Sequence, residues 1–324
     1  MKTPEIIHKH MQRHYSLLLF IAAALLSFLQ VTAQKSELIS AVKNNDINGV
    51  KRLLEAGADP NAVDDDSDNV LMNAAMYASV ECMNALLQKK ADPNIKNKHK
   101  QTALMYCTNN LEKCKLLLQY GADINAKSKS GNTPLLVASV GNQPYEMVKF
   151  LLDNKADPLA TNAAHETALM RAAQFSDTTT LRLLISKGIN VNALDYIAGT
   201  ALTKAILNAN SPAVSFLLNN GADPNIVDSF SAGSLAYAVL VNDNDLTKEI
   251  LNKTSDVNKA DVLGMTPLMW AVYSEYDRPE TIQALLDHGA QINTKSKDGS
   301  TALSWAIKKG NTATVALLKK LGAQ

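Results

Sequence analysis

The chain is short of nearly everything that catalysis or covalent cross-linking requires. It has three cysteines, Cys82, Cys107 and Cys114. An odd count leaves at least one thiol unpaired, so disulfides are not its main source of stability. Of six histidines, His8, His10 and His14 crowd the start, and only His99, His165 and His288 are left for the body of the chain, far apart. His165-Glu166 begins like a zinc-binding helix, but the residue four positions on is Leu169, so the second ligand is missing. Asp64-Asp65-Asp66-Ser67-Asp68 begins like a calcium loop. Its twelfth position is Ala75, where a bidentate Glu is required, so the run reads as a solvated acidic loop tip. There is no glycine-rich phosphate loop. These absences argue against an enzyme and against a bound metal or cofactor, because no convergent set of titratable groups can be assembled.

Charge of one sign is lacking too. The formal net charge is +1, which disfavours a general attraction to nucleic acid. Long apolar runs are absent apart from Leu17 to Leu29, which follows the basic residues Lys2, Lys9 and Arg13. That run falls short of the about 20 residues a spanning helix needs. Val31 and Ala33 suit the small-residue cleavage rule, so residues 1–33 are expected to be a signal peptide cut after Ala33, with an uncleaved anchor as the alternative. No cysteine lies near the cut, which argues against a lipid anchor. Removal takes away three basic residues and one acidic residue (Glu5), leaving a net charge near −1 and no expected membrane association. The expected address is periplasmic or secreted.

What the chain has in quantity is repetition. Ser36, Asn69, Thr102, Thr133, Thr167, Thr200, Gly233, Thr266 and Thr301 hold equivalent places at a spacing of 31 to 35 residues. Two residues after each stands Leu, from Leu38 to Leu303 without exception. Five residues after each stands Ala, except for Cys107 in the third copy. A second signature follows in phase: Leu53-Leu54 before Gly57-Ala-Asp-Pro-Asn61, Leu217-Leu218 before Gly221-Ala-Asp-Pro-Asn225, and Leu285-Leu286 before Gly289-Ala-Gln-Ile-Asn293.

One copy can be read physically. Thr, Ser or Asn is an N-cap that satisfies free helical N–H groups, and Pro is tolerated directly after it. Leu and Ala three apart share one face of a short helix, and the small Ala admits a close neighbour. Val50, Leu53 and Leu54 put a second apolar face on a second helix. Gly57 ends that helix in a left-handed conformation, and Asp-Pro-Asn starts an extended turn. A helix-turn-helix-loop of this size cannot bury its own apolar face, so it must stack on the next.

The motifs Thr266-Pro-Leu-Met-Trp-Ala and Thr133-Pro-Leu-Leu-Val-Ala, with their Gly-Ala-Asp-Pro-Asn tails, resemble the ankyrin repeat. The resemblance covers residues 34–324 as one domain of about nine copies and implies an all-α repeat solenoid. Two departures stand out. The family's usual His after Leu is Met72, Met105, Leu136, Met170, Thr203, Ala236, Met269 and Ser304 here, so the interfaces are expected to lean on apolar packing. The copy at Gly233 ends in Thr254-Ser-Asp-Val-Asn258, so a looser turn is expected there.

The family resemblance implies a protein partner bound by loop tips and the outer edge of the first helix, along a concave groove. Early tips are polar or charged (Asp65, Asp66, Lys98, Lys100, Lys129), whereas later tips are apolar. The candidate binding residues are Tyr196, Ile197, Phe230, Val262, Leu263 and Met265 at the tips, with Tyr237, Trp270, Tyr273 and Trp305 on the first helices. For Tyr237, Trp270 and Trp305 the competing reading is packing between repeats. Cys107 and Cys114 fall on facing helices of one layer and admit two readings, a disulfide or two small buried hydrophobes. Taken together, the sequence reads as an exported, monomeric interaction scaffold. A secreted effector or toxin-associated module acting on another cell's proteins is the alternative.

Overall fold

The computed structural model describes residues 20–21, 32–140, 144–175, 177–241, 243–274 and 276–324. The expected signal peptide lies almost wholly outside the described residues. Among those residues the chain is helical, and the only β-type pairing is an isolated bridge between Val63 and Asn69. No described helix is long and apolar enough to cross a membrane.

The chain divides into two compact units, residues 1–129 and 130–324. The first holds α1 (32–43), α2 (Ile47–Glu55), α3 (Val70–Tyr77), α4 (Val80–Gln88), α5 (Ala103–Tyr106) and α6 (Leu111–Gln119). The second holds α7 (Pro134–Ala138), α8 (Tyr145–Asp153), α9 (Ala168–Phe175), α10 (Thr178–Ser186), α11 (Ala201–Leu207) and α12 (Ser211–Asn219), followed by α13 (Ser234–Ala238), α14 (Asn244–Leu251), α15 (Pro267–Tyr273), α16 (Pro279–Asp287), α17 (Ala302–Lys309) and α18 (Thr312–Lys320). Within each unit, first helices pack on first helices (α3 on α5, α15 on α17) and second on second (α2 on α4, α16 on α18). This is the nearest-neighbour stacking of a repeat array, and the fold is an all-α ankyrin-type solenoid.

The sequence register explains the packing. All nine Leu residues of the first helices are buried, from Leu38 to Leu303. The small position behind them is buried from Ala74 to Ala306, while Ala41 in the first copy is only half-buried. Thr133, Thr167, Thr200, Thr266 and Thr301 each accept a hydrogen bond from the amide three residues on, and Asn69 does the same for Met72 at 2.8 Å. Three copies break the rule. Ser36 lies inside α1 and not at its start, Gly233 has no side chain to offer, and Thr102 Oγ1 is buried without a hydrogen-bond partner among the described residues at the head of α5, which is only four residues long. Gly57 sits at φ +89°, as its left-handed cap role requires.

Hydrogen bonds between repeats are more numerous than the loss of the family's His suggested. The tail Asn is the main device. Its Oδ1 accepts the next tail's amide and its Nδ2 donates to the next tail's carbonyl: Asn94 to Asp123 N (2.7 Å) and Gly121 O (2.9 Å), Asn192 to Asp223 N and Gly221 O (2.9 Å each). A second device caps the end of the preceding first helix. Lys113 Nζ donates to Ala75 O at 2.8 Å, Asn210 Nδ2 to Ala173 O at 3.1 Å, Arg278 Nη1 to Val241 O at 2.9 Å and Asn311 Nδ2 to Val272 O at 2.9 Å. Met72, Leu136, Met170 and Met269 are buried as well, so the apolar packing expected there is joined, not replaced, by these polar ties.

The tail at Thr254 is likewise tied down. Thr254 Oγ1 caps Ile250 O at 2.8 Å, and Ser255 donates both its amide and its hydroxyl to Asn225 Oδ1. The slack lies beside it, in a cleft of about 230 Å³ bordered by Gly233 and Thr254, where the missing side chain of Gly233 leaves room.

Candidate functional site

The loop tips are built by one recurring carboxylate or amide. Asp228 Oδ1 accepts from the amides of Phe230 (2.8 Å) and Ala232 (3.0 Å), and Asp261 Oδ1 accepts from those of Leu263 (2.8 Å) and Met265 (2.9 Å). Each tip then donates one backbone hydrogen bond to the tip before it: Tyr196 N to Ala164 O, Ser229 N to Ile197 O, Val262 N to Phe230 O and Lys297 N to Leu263 O, at 2.8–2.9 Å. This approach is so close at Gly264 that a Cβ there would meet Lys297 N at 2.9 Å. The tips therefore form a rigid row and hold their side chains out from it.

The second oxygen of the same residue reaches nine positions along, to the first helix. Asp64 Oδ2 accepts from Asn73 Nδ2 (3.0 Å), Asp195 Oδ2 pairs with Lys204 Nζ (2.8 Å), Asp228 Oδ2 accepts from the Tyr237 hydroxyl and Asp261 Oδ2 accepts from Trp270 Nε1 (2.9 Å). Burial pushes the Asp64 carboxyl up, but the bonds from Asn73, Lys43 and the Asp68 backbone outweigh it and hold the group below its usual range. Burial, followed by the bond to Asp228, pushes the Tyr237 phenol well up. In the last repeat this pairing lapses. Ser296 stands where four other copies have Asp, and Trp305 Nε1 is buried without a hydrogen-bond partner among the described residues.

The ten candidate residues separate in the structure. Tyr196 is 78 % exposed, and Ile197, Phe230, Val262 and Leu263 are exposed as well, along the tips. Tyr237 is half-buried and its hydroxyl is engaged by Asp228. Met265 is a correction. It was expected in an exposed patch, yet it is only 5 % exposed, because Asp261 Oδ1 draws its amide back into the tip and turns its side chain under the row. It forms the floor of a cleft of about 290 Å³ walled by Leu263, Trp270, Tyr273 and Trp305. Trp270 and Trp305 are half-buried, so packing and exposure both apply to them. Tyr273 meets each edge-on, with centroids 5.6 Å from Trp270 and 5.1 Å from Trp305, the favoured geometry for aromatic pairs.

Two residues that the tip-based reading passed over complete the site. Lys308 Nζ lies 4.7 Å from the centroid of Trp305, and Lys309 Nζ lies 4.2 Å from that of Tyr273, both within cation–π range. Their position three and four residues after Trp305 on one helix was the available signal. The site can grip an apolar group between rings. Ser296, Lys297 and Asp298 complete its lining, and no group of metal-ligating side chains occurs among the described residues.

Cys107 and Cys114 sit in the first compact unit as buried thiols with Sγ atoms 2.9 Å apart. The bond to Cys114, and then burial, push the Cys107 thiol well above its ordinary range.

Comparison with known proteins agrees with the geometry. A family model described as ankyrin repeats (3 copies) matches residues 38–128, 135–228 and 235–324, and a model described as ankyrin repeats (many copies) matches residues 108–151. The chain is 31% identical over 158 residues to the E3 ubiquitin-protein ligase KEG of Arabidopsis thaliana, covering 44% of this chain and 10% of that protein. It is 34% identical over 146 residues to the B-cell lymphoma 3 protein homolog of Mus musculus, covering 43% and 32% respectively. It is 30% identical over 153 residues to the ankyrin repeat and SOCS box protein 6 of Homo sapiens, covering 39% and 36%. The chain thus spans between a tenth and about a third of the length of these relatives. With most of its residues matched by the family model, the chain belongs to the ankyrin-repeat family.

Proposed function

We propose that this chain is an exported, non-catalytic scaffold that docks a protein partner on the tips and first helices of its later repeats. The observation that carries the reading is the aromatic cleft at Trp270, Tyr273 and Trp305, continuous with exposed Leu263 and Val262. Contiguous exposed apolar surface of this kind marks interaction sites, and clustered Trp and Tyr residues are typical energetic anchors. Residues 1–33, with their basic start and short apolar run, support export to the periplasm or medium. The protein acts as a monomer in this reading.

Two measurements test it. Mature wild-type chain and a Phe230→Asp/Leu263→Asp variant are used to capture partners from the native host. Both substituted side chains are exposed, so the variant keeps its fold, and it is expected to lose partners that the wild type retains. Equal capture by both proteins removes this surface from consideration. Cell fractionation addresses export, for which a cytoplasmic full-length chain is the contrary result.

A further inference from the structure

The cleft is apolar inside and basic outside, and the charges around it are unequally engaged. Asp261 commits both carboxylate oxygens, one to tip amides and one to Trp270 Nε1. Asp298 Oδ1 accepts from the Ser296 hydroxyl and the Ser300 amide. Lys297, Lys308 and Lys309 are exposed and form no ion pair among the described residues. Two of these ammonium groups rest on the faces of rings that wall the cleft. The hydrogen bonds to Asp261 and Asp298 come from neutral donors and leave both carboxylates charged, so three lysines against two carboxylates give the rim a net charge of +1, with the lysines as its unpaired groups.

Size narrows the occupant further. At about 290 Å³ the cleft lies at or below the lower end of small-molecule and cofactor sites, roughly 300–1,000 Å³. It suits one bulky apolar side chain presented by a chain that continues on either side. We infer that the occupant is an extended acidic segment of a partner protein, with one large apolar residue inserted between Trp270, Tyr273 and Trp305 and flanking Asp or Glu residues facing Lys297, Lys308 and Lys309. This rests on the docking function proposed above and adds the chemical class of the partner. Complementary charge at such a rim sets selectivity and association rate, while the buried apolar residue supplies most of the affinity.

The cleft carries its own reporter, because Trp270 and Trp305 are the only two tryptophans in the chain. A random short-peptide library is selected on the mature chain, and the selected peptides are titrated while tryptophan emission is followed. The expected peptides combine one Phe, Leu, Ile or Met with flanking Asp or Glu, and they change the emission saturably. Lys308→Glu/Lys309→Glu should weaken them at least about tenfold with unchanged circular dichroism, and added salt should do the same. Peptides that change the emission but are neutral or basic overturn the acidic assignment while leaving the cleft as a docking site. Failure of every selected peptide to change the emission, or binding indifferent to Leu263→Asp, overturns the cleft reading and this inference together.

Discussion

Trp270 donates its indole N–H to Asp261 Oδ2 at 2.9 Å, and one repeat later Trp305 meets Ser296 and donates to nothing among the described residues. A buried donor left unpaired costs about 1–3 kcal/mol. Ser296→Asp restores the residue that four other repeats use and should stabilise the C-terminal repeats by about 1 kcal/mol. Asp261→Ala should destabilise by about 2 kcal/mol, since it orphans the Trp270 indole and two tip amides. Urea unfolding followed by tryptophan emission measures both. A destabilised Ser296→Asp variant would show that the Trp305 indole is not accessible to this carboxylate.

Arg278 is expected to matter more than a surface arginine. Its guanidinium is buried and donates to the carbonyls of Val239 and Val241 beyond the end of α13. Burial holds its pKa below the ordinary arginine value, yet carbonyl dipoles satisfy its Nη1 and Nη2. Arg278→Met should lower stability by about 2 kcal/mol, and Lys113→Met, which loses the bonds to Ala74 and Ala75, by a similar amount. Thermal midpoints of the two variants against wild type provide the check.

Acid should loosen the array through its helix caps. The Asp243 carboxyl is held below its ordinary value of 3.8 by the Leu246 amide first and the Ser211 hydroxyl next. Its folded pKa is therefore below its unfolded one. The stability it adds is complete above pH 3.8 and is lost as pH falls through the folded value. Asp243→Ala should cost about 1 kcal/mol at neutral pH, and the gap from wild type should close at strongly acid pH. A gap that stays constant across that range would rule out the ionised cap as its source.

The three cysteines are buried thiols, so none should react with a maleimide in the native chain, even at mildly alkaline pH. All three should react once the chain is unfolded. Non-reducing peptide mapping should recover Cys107 and Cys114 separately, and a cross-linked peptide would reverse that expectation.

Much of the scaffold was legible before any coordinates. Leu38 through Leu303 needed only a count of spacing to be placed in the core, and Gly57 only its position after a helix. Local rules failed where a copy departs from its neighbours. Thr102 looks like the other Thr caps, yet the Met105 amide donates to its backbone carbonyl at 3.0 Å and not to its hydroxyl. The Thr254 tail lacks glycine, yet Asn225 of the previous repeat holds it. The role of the tail Asn was missed because it acts only on a neighbouring copy, where a single-repeat reading does not look.

By itself the sequence determined the helices, their register and the stacked fold, because each repeat buries its face only on the next and the same short pattern recurs at every interface. It also marked the later repeats as the apolar end of the tip row. Only the tertiary structure decided which of those side chains meet. It turned Met265 under the row, bound the Tyr237 hydroxyl to Asp228, gathered Leu263, Trp270, Tyr273 and Trp305 around one cleft and laid Lys308 and Lys309 on its rings. The physical reason is that a site of this kind belongs to no single repeat: it arises from the fit of one repeat's side chains against the next, which spacing along the chain does not encode.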